Sequence, residues 1–248
     1  MFSLLVKRVH YNACLMPIRA VFFDVVGTLA RFVPEQEDVL VEAALSQGVS
    51  LTIDQARRGF AAAGEWWNRV VGLRYRTAPV AEQEALNLEY DRHLFEAAGV
   101  DVDIETLSRV FRELFRRGRP TRLEAYPDAA PALSSLKGKG LTLGVISNMG
   151  RDLPSVLEEI GLTANLQVVV ASGEAGFTKP DPRIFETALQ RAGVTADEAI
   201  YVGDLYDSDV LGARGAGITP VFLDRYGLFP QYRDCLRIAG LADLPTLL

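Results

Sequence analysis

Ala20-Val21-Phe22-Phe23-Asp24-Val25-Val26-Gly27-Thr28-Leu29 opens with four unbroken apolar residues, then an acid, then a glycine three positions later. An apolar run without polar alternation, closed by turn residues, is the pattern of a strand buried on both faces. Four more stretches repeat it. Leu141–Ile146 ends at Ser147-Asn148, Leu166–Ala171 at Ser172-Gly173, Ala199–Val202 at Gly203-Asp204, and Thr219–Leu223 at Asp224.

Helical patterns lie between these runs. Asp128 precedes Ala132, Leu133 and Leu136 as an N-cap. Asp152 does the same for Leu153, Val156, Leu157 and Ile160, with Gly161 as the stop. Asp181-Pro182 combines an N-cap with proline in the first turn, and Gly193 closes that helix. Strands alternating with helices predict an α/β fold: a three-layer α/β/α, Rossmann-like core with a mostly parallel sheet.

Residues 34–118 interrupt the alternation. Thr52-x-x-Gln55 has the form of a capping box. Leu86, Tyr90 and Leu94 recur every fourth residue before Gly99. Leu107, Val110, Phe111, Leu114 and Phe115 form an apolar stripe ended by Gly118 and Pro120. The predicted organisation is an N-terminal extension at 1–19, a core made of 20–33 and 119–248, and an inserted helical cap at 34–118. The first fifteen or so residues, with Met16 as an alternative start, are expected to lie outside the fold. Ligands of open parallel sheets bind beyond the carboxyl ends of the strands, where Asp24, Ser147 and Asp204 fall. The inserted helices leave the core at that edge and can act as a lid.

Of 248 residues, 49% are hydrophobic and 23% charged, and the net charge is -6. That composition is globular and excludes a disordered or disulfide-stapled chain. The negative balance argues against a nucleic-acid partner, which needs a basic face. No run approaches the ~20 apolar residues of a membrane span. Cys14 and Cys235 lack metal spacing and suit a reducing, cytoplasmic setting. The sequence does not fix an oligomeric state.

Four elements stand in order: Asp24-Val25-Val26-Gly27-Thr28-Leu29, Ser147-Asn148, Lys179-Pro180, and Gly203-Asp204 with Asp209 five residues on. Together they resemble the haloacid dehalogenase-like hydrolase superfamily, over most of the chain from about residue 20. The insertion resembles the helical cap of its phosphatase and dehalogenase branches.

That resemblance implies a nucleophilic Asp24, whose carboxylate attacks a phosphoryl group and whose acyl phosphate water then cleaves. The plainer reading of Asp24 is a helix or turn cap for Gly27 and Thr28. Two carboxylates such as Asp24 and Asp204 repel unless a cation or proton intervenes, and hard oxygen ligands suit Mg²⁺. The resemblance adds the main-chain carbonyl of Val26 as a ligand and Asp209 as an acid supporting the metal. Ser147 and Asn148 can donate to phosphoryl oxygens, although Ser-Asn after a strand is also a plain turn. Lys179 supplies a point charge for nucleophile and phosphoryl group. Thr28 is expected to steady Asp24 through its hydroxyl.

The sequence departs from the family pattern at Val26. The phosphatases carry there an aspartate that protonates the leaving group and then activates water, and valine cannot. Loss of a positioned acid or base costs ~10²–10⁴ in rate. Three readings follow: a Mg²⁺-dependent phosphohydrolase acting on a small phosphorylated metabolite, a 2-haloacid dehalogenase, or a phosphate- and metal-binding protein with impaired turnover. The dehalogenase branch also lacks the second acid, but it uses no metal and does not keep the Gly-Asp element. The first reading therefore leads. Trp66, Trp67, Arg69, Arg74 and Arg76 cluster in one cap segment as candidates for substrate contact, against the plainer reading of packing and a solvated face.

Overall fold

The computed structural model describes residues 17–118, 122–149 and 152–248. The expectations for residues 1–16, including Cys14 and Met16, and for Pro120 fall outside them. Six parallel strands form the sheet in the order β5-β4-β1-β6-β7-β8: β1 (Ala20–Phe23), β4 (Thr142–Ser147), β5 (Val168–Ala171), β6 (Ala199–Gly203), β7 (Thr219–Leu223) and β8 (Leu236–Ile238). β1 lies between β4 and β6, with Phe23 opposite both Val145 and Val202. All four of its side chains are buried, as an unbroken apolar run requires.

Period-two alternation sends its residues to two different cores. Val21 and Phe23 join Ile200, Val202 and Leu133 on one face, while Ala20 and Phe22 join Tyr201, Ile184 and Phe185 on the other. Helices α5 (Ala129–Gly138) and α6 (Leu153–Glu159) cover the first face; α8 (Pro182–Ala192) covers the second. α7 (Ser172–Ala175) and α9 (Gly212–Gly215) are single turns after β5 and before β7.

Two features were not legible in the sequence. β2 (Ala30–Val33) and β3 (Arg122–Ala125) pair antiparallel into a separate ribbon where the helical segment leaves and re-enters the core. The short β8, with two of its three residues exposed, extends the sheet edge. Two expected caps also work differently. The Asp128 carboxylate does not cap α5; it accepts both Arg225 Nη atoms (2.9 and 3.0 Å) and the Leu241 N–H. Asp152 accepts from the Ser155 hydroxyl rather than from a backbone N–H. The Asp181 cap forms on the Arg183 N–H.

Helices α1 (Gln36–Ser46), α2 (Ile53–Trp66), α3 (Val80–Ala98) and α4 (Ile104–Arg117) build their own core around Leu40, Ala63, Leu94, Phe95 and Phe111. The Thr52/Gln55 capping box starts α2, and Gly99 ends α3 in the left-handed region at φ 69°. The α4 stripe stops one residue early: Phe115 is 59% exposed. Both tryptophans of the chain lie at the end of α2 and just beyond it, so their emission reports on this bundle. Leu94 is fully buried there. Leu94→Ala is expected to destabilise the protein by about 2–5 kcal/mol, seen as a lower urea midpoint in tryptophan fluorescence. An unchanged midpoint would contradict the packing described.

Candidate active site

The Asp24 N–H donates to the Val202 carbonyl (2.9 Å). That bond continues the ladder one residue past β1 and carries Asp24 to the sheet edge. The chain then turns tightly: the Leu29 and Ala30 N–H groups both donate to the Val25 carbonyl, and the Gly27 N–H to that of Ala30. Gly27 sits at φ 91°, and a side chain there would fall on the Asp204 carboxylate. Both facts demand glycine. A Cβ on Gly203 would likewise strike Asp209, so two glycines make room for two carboxylates.

Carboxylate oxygens of Asp24, Asp204 and Asp209 lie within 4.8 Å of one another. Lys179 enters this cluster from the loop before α8. Its Nζ donates to Asp24 Oδ1 (2.6 Å), Asp209 Oδ1 (2.7 Å) and Tyr201 Oη (2.8 Å), which uses all three protons. The Tyr201 hydroxyl donates in turn to Asp209 Oδ1 (2.9 Å). Lys179 is 3% exposed and Asp209 1%. One ammonium thus bonds two of the three carboxylates, and Asp204 stands beside them without a direct bond to it. Burial, reinforced by Asp209 but opposed by Lys179, pushes Asp24 up to about 6. Burial together with Asp24 and Asp209 pushes Asp204 well above the carboxylate range. Lys179 is held charged, because the attraction of Asp209 and Asp24 outweighs its burial. Such a site favours an added cation or a proton.

The residues predicted from sequence fall into two groups. Asp24, Val26, Ser147, Asn148, Lys179 and Asp204 line a cavity of about 360 Å³. Thr28 and Asp209 sit behind its wall. The Thr28 hydroxyl donates to Asp204 Oδ1 (3.0 Å), not to Asp24 as expected. Asp209 spends Oδ1 on Lys179 and Tyr201 and Oδ2 on the Leu205 N–H (2.9 Å), so it positions the ammonium and the loop. The Asn148 amide faces the main chain: Nδ2 donates to the Lys179 carbonyl (3.0 Å) and Oδ1 accepts the Lys179 N–H (2.7 Å). This clamp aims Lys179. Ser147 Oγ accepts the Met149 N–H (3.3 Å).

Sequence reasoning missed two residues. Tyr201 was hidden inside an apolar strand run; a hydroxyl at an inward position beside Gly203-Asp204 was the available hint. Glu65, at the end of α2, gave no signal at all. Its carboxylate accepts the Asp207 N–H (2.6 Å), the Ser208 N–H (3.0 Å) and the Ser208 hydroxyl (2.6 Å). Asn68 donates to the same hydroxyl (3.0 Å), and Arg69 pairs with Asp207 (3.4 Å). The helical segment is thereby fastened to the loop between Asp204 and Asp209. Of the five clustered aromatic and basic residues, Trp66 packs on His93 and Trp67 on Tyr75 and Tyr90, while Arg74 pairs with Glu82. Arg76 comes close to Gly173.

A family model for haloacid dehalogenase-like hydrolases matches residues 18–217. The chain belongs to that family. It is therefore a hydrolase. The haloacid dehalogenase-like hydrolase domain-containing protein 3 of Danio rerio is 30% identical over 211 residues, 85% of this chain and 86% of that protein. A phosphoserine phosphatase of Thermus thermophilus is 40% identical over 155 residues, 61% of this chain and 60% of that protein. Among solved structures, a phosphatase of the family from Thermococcus onnurineus (25% identity, TM-score 0.55) and a 2-haloacid dehalogenase from Pseudomonas syringae (26%, TM-score 0.52) each align over 93% of this chain and 97% of their own. Both chemistries share the fold, so individual residues must separate them. Among the described residues, no helix is long and apolar enough to cross a membrane.

Burial raises the Glu65 carboxyl from 4.5 to about 7. A carboxyl whose pKa is higher folded than unfolded favours the folded state while protonated. Wild type is thus expected to lose stability relative to Glu65→Gln as pH rises from about 4.5 to about 7. Urea unfolding of both proteins across that window measures it; parallel curves would contradict the burial of this carboxyl.

Proposed function

We propose that the protein is a Mg²⁺-dependent phosphohydrolase that cleaves a small phosphorylated metabolite through an aspartyl-phosphate on Asp24, in a cytoplasmic setting. One observation carries the reading: Asp24, Asp204 and Asp209, which are distant in sequence, meet around the single ammonium of Lys179. A dehalogenase needs no cation and no second acidic element. Here the buried negative charge exceeds its protein counter-charge, which fits a divalent ion. Asp24, Asp204 and the Val26 carbonyl would hold that ion, with Asp209 supporting from behind. When bound, it would offset charge on the carboxylates and phosphoryl oxygens.

The chain's own residues do the rest. Asp24 Oδ2 stays clear of Lys179, which grips Oδ1, and can attack phosphorus. Lys179 keeps the carboxylate fixed and its charge compensated. Ser147 lines the cavity, and its hydroxyl proton can point to a phosphoryl oxygen because, among the described residues, Oγ accepts from Met149 and donates to none. Asn148 acts through Lys179 rather than on the phosphoryl group.

Val26 lines the cavity and offers no proton. Leaving groups must therefore depart as stable anions. With Mg²⁺, kcat/KM for aryl phosphates is expected to fall steeply as leaving-group pKa rises, and Asp24→Asn is expected to abolish turnover. Val26→Asp is expected to raise alkyl-phosphate hydrolysis at least tenfold, within the ~10²–10⁴ that a positioned acid contributes. A flat dependence would mean that another acid protonates the leaving group. Glu37, which lines the same cavity and whose pKa burial raises, is the residue to replace in that event. Metal-independent halide release from a 2-haloacid would overturn the proposal.

A further inference from the structure

A second cavity, about 500 Å³, lies among the inserted helices beside the first. Phe32, Gln36, Phe60, Gly64, Asn68 and Tyr90 line both, so the two spaces adjoin. What is attached to a phosphoryl group at Asp24 can extend into such a neighbour. The second space is large enough, since roughly 150 Å³ already holds benzene.

Its lining defines the guest. Phe32, Phe60, Trp67, Tyr90 and Phe111 present aromatic surface, and aromatic rings pack on one another with a gain beyond simple burial. The charged lining residue is Asp91, 7% exposed, with Asn87 beside it in the wall. Among the described residues, no cation lines this chamber. In the first cavity the guanidinium groups already have carboxylate partners: Arg31 and Arg57 on Glu35 (2.6 and 3.5 Å), Arg225 on Asp128 (2.9 Å). A second anionic group on the substrate that reaches the aromatic chamber meets the carboxylate of Asp91 and, among the described residues, no cation of the lining. Val26 independently demands a stable leaving anion, and a phenol, with a pKa near that of tyrosine at about 10, is far easier to expel than an alkanol.

We infer that the chamber is an aryl site, and that the substrate is a phosphate monoester of a phenol whose ring is neutral or cationic. This deepens, and rests on, the phosphohydrolase reading. Asp24 forms a bond to phosphorus as the phosphorus–aryl oxygen bond breaks, and the phenolate leaves with the electron pair into the aromatic chamber. Water then adds to phosphorus and the Asp24–phosphorus bond breaks. One water proton stays on the phosphate, and the other reaches the phenolate through solvent.

Calorimetric titration with inert phosphonates in the presence of Mg²⁺ tests the site without turnover. Phenylphosphonate is expected to bind at least tenfold more tightly than methylphosphonate. A para-carboxylate on the ring should weaken binding at least tenfold, and a para-aminomethyl group should not. Phe60→Ala should bring the phenyl and methyl compounds within about threefold of each other. If that variant fails to fold, Trp67→Phe, which retains a ring, should narrow the gap in the same direction. Equal affinities in wild type, or a gap that survives substitution, would overturn the aryl site; accompanying phosphate release from acetyl phosphate would leave the phosphohydrolase reading standing. Failure to bind either phosphonate, with no release from any phosphate ester, would overturn both.

Discussion

Three carboxylates, two of them buried, crowd one ammonium that bonds only two of them. Everything else at the edge of the sheet follows from that imbalance. Buried charges are costly unless paired and hydrogen-bonded, and here the pairing is incomplete by design of the sequence: Lys179 has three protons, spent on Asp24, Asp209 and Tyr201. Asp204 receives only the Thr28 hydroxyl among the side-chain donors described. Two glycines are kept free of side chains so that Asp204 and Asp209 can approach. A folded protein tolerates such a cluster where a cation or proton completes it, and strained electrostatics of this kind mark functional sites.

The core was legible because its grammar is local. A strand buried on both faces must be apolar throughout, and residues just past its carboxyl end must fall at the sheet edge. That rule alone located Asp24, Ser147 and Asp204. Lys179 and Asp209 needed the family pattern, because nothing local says that a lysine before a helix points inward. Long-range partners stayed hidden. Thr28 was placed beside Asp24 by proximity in sequence, yet its turn carries it to Asp204, 176 residues away. Glu65 reaches Ser208 across 143 residues with no periodic or spacing signature. The β2–β3 ribbon escaped notice because Arg31 and Arg122–Glu124 interrupt the apolar pattern of both strands.

Residues of the helical insertion line both cavities. Its own core makes it a second packed body, and Glu65, Asn68 and Arg69 tie it to the loop that carries the acidic cluster. The same helices enclose the aromatic chamber. Valine at position 26 and an aromatic wall nearby are the two observations on which the proposed leaving group, one that needs no acid, rests.

The central claim is that the carboxylate cluster is built to hold a divalent cation beside Asp24. Calorimetric titration of Mg²⁺ into wild type and Asp204→Asn tests it most directly. One ion per chain in wild type, with affinity at least tenfold weaker in the variant, is the expected result. No saturable binding to wild type, or binding that the variant leaves unchanged, would contradict it.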